Sequence, residues 1–202
     1  ILVNYNSSAL LRQCLKSIYE QTKEIPFEII VVDNASSDNS REIVCSEFSN
    51  VQLIKSAENL GFSRGNNLGA SFAKGTYLLF LNTDTILFEN SIKALADFLD
   101  KHPEVAAVGP KILFEDGCFQ LSSGRLPNLF REFIDKIVYS LARKRRKVIC
   151  PLLERWHNTT KVVGWLTGAC LMVRQSAFSQ VNGFDENIFM YFEDKDLCKR
   201  IN

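Results

Sequence analysis

Phe27-Glu-Ile-Ile-Val-Val-Asp33 is a β-branched, nearly unbroken apolar run that ends on an acid. Such a run predicts a parallel strand covered on both faces, because a strand with one solvated face would alternate apolar and polar residues. On its amino side, Ile1-Leu-Val-Asn4 reads as the remainder of another buried strand. Ser7 or Ser8 then caps a helix to about Gln21, with Leu11, Leu15 and Ile18 on one face. On its carboxyl side, Asp38 or Asn39 begins a helix to about Phe48, and Val51-Gln-Leu-Ile-Lys55 returns as a strand. A Gly-punctuated segment from Glu58 leads into a helix ending near Gly75. Thr76-Tyr-Leu-Leu-Phe-Leu-Asn82 is the most hydrophobic strand of the chain. A helix from about Asn90 to Lys101 and a strand from Val105 to Val108 follow. This strand–helix alternation predicts an open, mostly parallel α/β sheet flanked by helices.

After Gly109 the rhythm changes. Short strands near Lys111–Phe114 and Phe119–Leu121 predict a hairpin around Asp116-Gly117, a small antiparallel addition to the sheet. A helix is expected from Leu129 to Arg143, followed by the basic run Arg143-Lys-Arg-Arg-Lys147. That run has two readings, a solvated surface or a contact with anionic lipid, and the first is taken as the default. Strands at Lys161–Trp165 and Cys170–Arg174 precede a short helix and the turn Val181-Asn-Gly-Phe-Asp185. Phe189-Met-Tyr-Phe-Glu-Asp-Lys-Asp-Leu-Cys-Lys-Arg200 then reads as a helix start, with acids first and bases last. In a helix Glu193, Asp196 and Arg200 share a face, while Asp194 points elsewhere.

The 202 residues carry 46% hydrophobic content and a net charge of +1, which suits one globular domain and gives no general drive toward nucleic acid. Six cysteines without a Cys-x-x-Cys pair suggest buried thiols in a reducing compartment rather than a disulfide framework or a zinc site. No apolar run reaches spanning length and no signal peptide is recognised, so the expected location is cytoplasmic. The chain starts without Met inside an apolar run and stops inside an expected helix, as a domain truncated at both ends would. Residues 1–109 form the regular half of this domain and 110–202 the irregular half.

Ligands of open α/β sheets bind beyond the carboxyl ends of the strands, where the topology changes direction. Three strand ends are suggestive there: Asn4-Tyr5-Asn6, Asp33-Asn-Ala-Ser-Ser-Asp38 and Asn82-Thr-Asp84. Tyr5 offers a ring for stacking, Asp33 an acceptor for a base N–H, and Asp84 a hard oxygen ligand for Mg²⁺ or Mn²⁺ beside a diphosphate. Either acid alone is as well explained as a turn or cap residue; the pair favours function. Asn59-Leu-Gly-Phe-Ser-Arg-Gly-Asn-Asn-Leu-Gly69 combines glycines, a helix start and the cation Arg64, and matches neither the dinucleotide fingerprint nor a Walker loop. His102 and His157 lack partners at ligand spacing.

In chain order, these segments resemble family 2 of the nucleotide-sugar-dependent glycosyltransferases, of GT-A fold, and their bacterial rhamnosyltransferase-like branch. The resemblance rests on Val3-Asn-Tyr-Asn6, Ile30–Asp38, Asn59–Asn67, Leu79-Phe-Leu-Asn-Thr-Asp-Thr85, Gly168-Ala-Cys-Leu-Met-Val-Arg174, and Gly183-Phe-Asp-Glu186 with Phe192-Glu-Asp-Lys-Asp-Leu197. It implies that Asn4, Tyr5, Asp33, Asn59, Arg64, Asn67, Asn82 and Thr83 hold the donor. It implies that Asp84 holds the metal, with Asn82 standing where the family has the first Asp of its Asp-x-Asp motif. It makes Asp194 the catalytic base and lines the sugar and acceptor pocket with Gly168 and Ala169. Glu193 or Asp196 is expected to orient the base or the acceptor, and Trp165 has two readings, a ring stacked on a sugar face or an aromatic packed as core between strands. The implied reaction is inverting transfer from a thymidine- or uridine-diphosphate sugar to a growing polysaccharide or lipid-linked glycan at the inner face of the membrane. Two other classes compete: a sugar-1-phosphate nucleotidyltransferase, which needs a basic N-terminal phosphate loop that Ile1–Gln21 lacks, and a non-catalytic carbohydrate-binding fragment.

Overall fold

The computed structural model describes residues 1–125 and 158–202. The expected helix from Leu129 to Arg143 and the basic run at 143–147 lie outside the described residues. Strand β1 (Leu2–Asn4) pairs in parallel with β2 (Ile29–Asp33), and β2 in parallel with β3 (Val51–Lys55). Between them run helices α1 (Ser8–Gln21) and α2 (Ser40–Glu47). After α3 (Gly61–Phe72), strand β4 (Tyr77–Leu81) comes down on the other side of β1. The Ile1 ammonium donates to Leu79 O at 2.8 Å and Leu81 N–H donates to Ile1 O at 3.0 Å, the alternation of a parallel ladder.

Helix α4 (Ser91–Lys101) and strand β5 (Ala107–Val108) follow. Strands β6 (Ile112–Leu113) and β7 (Phe119–Gln120) form the predicted hairpin, and β8 (Ser123–Gly124) pairs with β9 (Trp165–Leu166). Strand β10 (Cys170–Arg174) inserts between β4 and β5, antiparallel to both. Helices α5 (Gln175–Gln180) and α6 (Glu193–Ile201) close the described chain. The spatial order is therefore β3-β2-β1-β4-β10-β5, and the direction of growth reverses between β1 and β4.

Both faces of the sheet are covered, which explains its unbroken apolar strands. Leu81, Cys170 and Met172 pack with Leu11, Leu15 and Ile18 of α1 and Leu95 and Leu99 of α4. Leu78, Phe80, Leu171 and Val173 face the other way, onto Phe178, Phe184 and Leu197. The rings of Phe80, Phe178 and Phe184 meet at 4.9–5.5 Å between centroids, tilted or edge to face. Helix capping differs from the expectation. Ser7 stands at the amino end of α1 without a side-chain cap bond. Asp38 does the work from outside, accepting Ser8 N–H at 2.9 Å and Ser40 N–H at 3.1 Å, so one carboxylate terminates two helices.

The cysteine expectation fails in part. Cys14, Cys170 and Cys198 are buried free thiols, and burial pushes Cys14 and Cys170 up to about 12. Cys45 is free but exposed, and Cys118 is disulfide-bonded. Sequence spacing tests only for neighbouring pairs, whereas a disulfide needs only that two Cα atoms come within about 7 Å in space. No helix among the described residues is long and apolar enough to cross a membrane.

Candidate active site at the carboxyl rim of the sheet

Strands β1, β2 and β4 run in one direction and β10 in the opposite one, so Asn4, Asp33, the Asn82–Asp84 loop and Gly168-Ala169 all sit on one rim. Loops tie them together. Asn4, fully buried, donates to Asp33 Oδ1 at 3.1 Å and Ser36 Oγ at 3.0 Å, and accepts the Ser7 hydroxyl at 2.7 Å. Ser7 Oγ also meets Thr83 Oγ1 at 3.0 Å, joining the β1 and β4 ends. Asn6 and Ala35 hold positive φ of 50° and 62°, and Ser37 N–H donates to Asn6 Oδ1, so the two loops clasp each other around Tyr5, which is 52% exposed.

Asp33 is 1% exposed and its carboxylate is fully engaged. Ser36 N–H donates to Oδ2 at 3.1 Å and Arg41 Nε to the same oxygen at 2.5 Å. Burial alone would raise its carboxyl; the bonds from Ser36, Arg41 and Asn4 outweigh that and hold it below the usual range. Arg41 is a residue that reading by motif missed, and its place in the first turn of α2, where a base is disfavoured, was the available signal. Asn34, also missed, donates to Gly61 O at 3.0 Å and Asn59 Oδ1 at 3.3 Å, fixing the start of α3 to the rim.

Asp84 presents the contrary picture. It is exposed and has no hydrogen-bond partner among the described residues. Its loop is nonetheless fixed: Asn82 N–H donates to Ala169 O at 3.0 Å and Thr85 Oγ1 to the same oxygen at 3.3 Å. One residue before Ala169, Gly168 N–H donates to Asp194 Oδ2 at 3.0 Å, and Lys195 N–H donates to Asp194 Oδ1 at 2.7 Å. A Cβ at Gly168 would stand 3.1 Å from the Phe62 ring, so any side chain there would press that ring back by a few tenths of an ångström. Asp194 and Asp84 are thus hung from one short turn of β10.

The other acids of α6 separate. Glu193 is 6% exposed, and its Oε2 is buried without a partner among the described residues. Burial, helped by the neighbouring Asp194 charge, raises its carboxyl to about 7. Of the three acids at the start of α6, the desolvated one is therefore Glu193. Asp196 is committed elsewhere, paired with Arg200 at 2.7 Å, whose Nη1 also donates to Val181 O and Gly183 O. The structure gives Asp196 a place in a brace and no contact with the Gly168–Asp194 turn.

Two expected site residues, Asn67 and Trp165, make structural contacts. Asn67 donates to Phe184 O at 2.9 Å and accepts Phe184 N–H at 2.9 Å, latching the segment before α6. Trp165 is buried against Gly124, with the Lys195 ammonium 5.0 Å from its ring, so it offers no open face to a sugar. Arg64 is exposed, 4.0 Å from Glu58. Four large side chains just before α6 stay exposed, Phe189, Met190, Tyr191 and Phe192, and the last two hold φ of 67° and 73°. Left-handed conformations of this kind cost on the order of 1–3 kcal/mol each in a non-glycine residue. A cavity of about 600 Å³ lies at the opposite rim, among Ile25, Pro26, Phe27, Gly75, Tyr77 and Asp100, away from these acids.

The reversal of direction between β1 and β4 makes this rim the ligand crevice of an open α/β sheet, as the GT-A resemblance implies. The comparisons agree. The family model described as glycosyl transferase family 2 matches residues 1–181. The whole chain is 32% identical to 69% of the N-acetylglucosaminyl-diphospho-decaprenol L-rhamnosyltransferase of Mycobacterium tuberculosis. The S. aureus TarS structure in complex with UDP-GlcNAc superposes with a TM-score of 0.67 at 19% identity, over 99% of this chain and 51% of that one. The mannosyltransferase PcManGT from Pyrobaculum calidifontis, in complex with GDP-Man and Mn²⁺, does so at 0.66 and 19%, over 99% and 50%. The chain belongs to glycosyl transferase family 2. It spans about half the length of those two solved chains.

Proposed function

We propose that residues 1–109 bind a thymidine- or uridine-diphosphate sugar, and that 110–202 present an acceptor to the base Asp194 for inverting transfer. The acceptor is a hydroxyl of a glycan or lipid-linked saccharide of the cell surface, met at the inner face of the cytoplasmic membrane. The observation that carries this reading is the Gly168–Ala169 turn, which holds Asp194 through the Gly168 amide and the Asn82–Thr85 loop through the Ala169 carbonyl. A base and a leaving-group site set in fixed relation are what a single in-line displacement needs.

In that reaction the acceptor oxygen forms its bond to the anomeric carbon as Asp194 takes its proton. The bond from that carbon to the diphosphate oxygen breaks, and the electron pair leaves with the nucleoside diphosphate. Tyr5, beside the Asn4–Asp33 clasp, stacks on the base. Asp84 suits a hard divalent cation: its carboxylate is unpartnered, and such ions are held by one or two carboxylates plus substrate phosphates. Among the described residues no three His, Cys, Asp or Glu side chains gather to hold an ion without substrate. Bound there, Mg²⁺ or Mn²⁺ would neutralise charge growing on the diphosphate.

A thermal-shift screen of nucleotide sugars with and without Mn²⁺ tests the reading, since a ligand of the native state raises the melting temperature by mass action. Stabilisation by a pyrimidine-diphosphate sugar that grows with Mn²⁺ is expected, and Asp84→Ala should abolish the Mn²⁺ increment. No shift with any nucleotide sugar would refute it.

A further inference from the structure

The run Phe189-Met-Tyr-Phe192 makes a strap across the rim between the two halves of the site. At one end Phe189 O accepts Phe62 N–H at 2.8 Å, and a Cβ on Gly61 would stand 2.5 Å from that oxygen, so the strap is pinned to the start of α3. At the other end Phe192 runs directly into the first turn of α6, which carries Asp194. Between them the side chains face outward, Tyr191 with 76% exposure. One side of the Phe192 ring is taken by the Lys195 ammonium, 4.6 Å from its centroid.

The backbone supplies the second observation. Elsewhere among the described residues the left-handed positions are held by Asn6, Asn182 and glycines, or by Glu24 and Ala35, and by no other aromatic. At φ of 67° and 73° in the strap the chain uses Tyr and Phe. Asn and Gly take that conformation with least strain, and a large aromatic takes it poorly. Strain kept at a solvent-facing aromatic points to a ligand rather than to the fold.

We propose that the strap is the acceptor-sugar subsite, with the Tyr191 ring as a platform for the apolar face of a pyranose whose hydroxyl meets Asp194. This rests on the functional reading above and replaces Trp165 as the stacking residue. A flat exposed ring three residues before the base suits a sugar ring, which offers an apolar face and polar edges. A lipid tail would need no such proximity to Asp194.

The test uses methyl and octyl β-N-acetylglucosaminide as acceptors, with Tyr191→Gly, Tyr191→Ala and Tyr191→Trp variants of the full chain. Glycine relieves the backbone strain, so a purely structural Tyr191 predicts that Tyr191→Gly is at least as good as the native protein. The subsite predicts instead a rise of tenfold or more in acceptor KM for Gly and Ala, donor KM within twofold, and near-native values for Trp. Unchanged acceptor KM in Tyr191→Gly overturns it, as does a loss seen with the octyl glycoside but not with the methyl one, which would assign the ring to lipid. If the native chain transfers from no donor, the functional reading fails by itself. Titration of the methyl glycoside by NMR then decides the subsite: binding lost in Tyr191→Gly upholds it, and no binding to the native chain overturns it.

Discussion

Asp33 and Glu193 are both buried acids on one rim, and the protein treats them in opposite ways. Asp33 receives three donors from Asn4, Ser36 and Arg41, which hold its carboxyl below the usual range. Glu193 keeps an oxygen with no partner among the described residues, and its carboxyl is raised to about 7. The first arrangement fixes a loop; the second leaves unsatisfied polarity beside Asp194, where a charge must be handled. On the proposed reading, the half of the rim that holds still would bind the nucleotide, and the α6 half would exchange a proton.

The sharpest way to break that contrast is Asp194→Asn. It should lower turnover by about 10²–10⁴-fold, the usual general-base contribution, with donor affinity retained in calorimetry. Unchanged turnover would take Asp194 out of the reaction. Next comes Glu193→Gln. Between the ordinary 4.5 and about 7 the native state binds more protons than the unfolded chain, so native stability falls as pH rises through that window. Removing the titration should flatten the dependence and stabilise the protein at pH 8 by up to about 3 kcal/mol, at 1.36 kcal/mol per unit. Urea unfolding across pH 4–8 reads this directly, and a parallel slope in both proteins would contradict it.

Asp33 carries the opposite sign: its contribution is complete above the ordinary 3.8 and is lost as pH falls through its lowered folded value. Arg41→Ala should therefore cost about 2 kcal/mol at neutral pH, below the full penalty for breaking a buried pair because Arg41 is itself one-third exposed. Its cost should shrink in acid, which pH-dependent unfolding checks. The smallest effect belongs to Asp196→Asn. A partly exposed pair one helical turn from Arg200 contributes below about 1 kcal/mol, and turnover should stay within a few-fold of native.

Most of the sheet was legible because burial on both faces writes itself as unbroken apolar runs. Val51–Lys55 was bounded to the residue, and the reach of α1 to Gln21 was expected. The insertion of β10 between β4 and β5 was not, since pairing partners leave no local trace in a strand of mixed apolar residues. Motif spacing picked out the rim acids but not what each one touches. Asp33 reads identically whether it faces a ligand or Arg41, and Glu193 and Asp194 differ only by which side of one helical turn meets the core. The strap was read as the aromatic approach to a helix, while its two left-handed residues gave no signal because neither is Gly or Asn.

The Asn67 latch has a consequence of its own. Its side chain reads both the carbonyl and the amide of a single residue, Phe184, 117 positions along the chain. Only a group with one donor and one acceptor in that orientation satisfies both; a carboxylate there would set oxygen against oxygen. A slip of one residue in the approach to the last helix would turn the peptide over and leave both ends unmet. The compass direction of one amide thus acts as an index mark, setting where the final helix begins and so which acid faces the cleft.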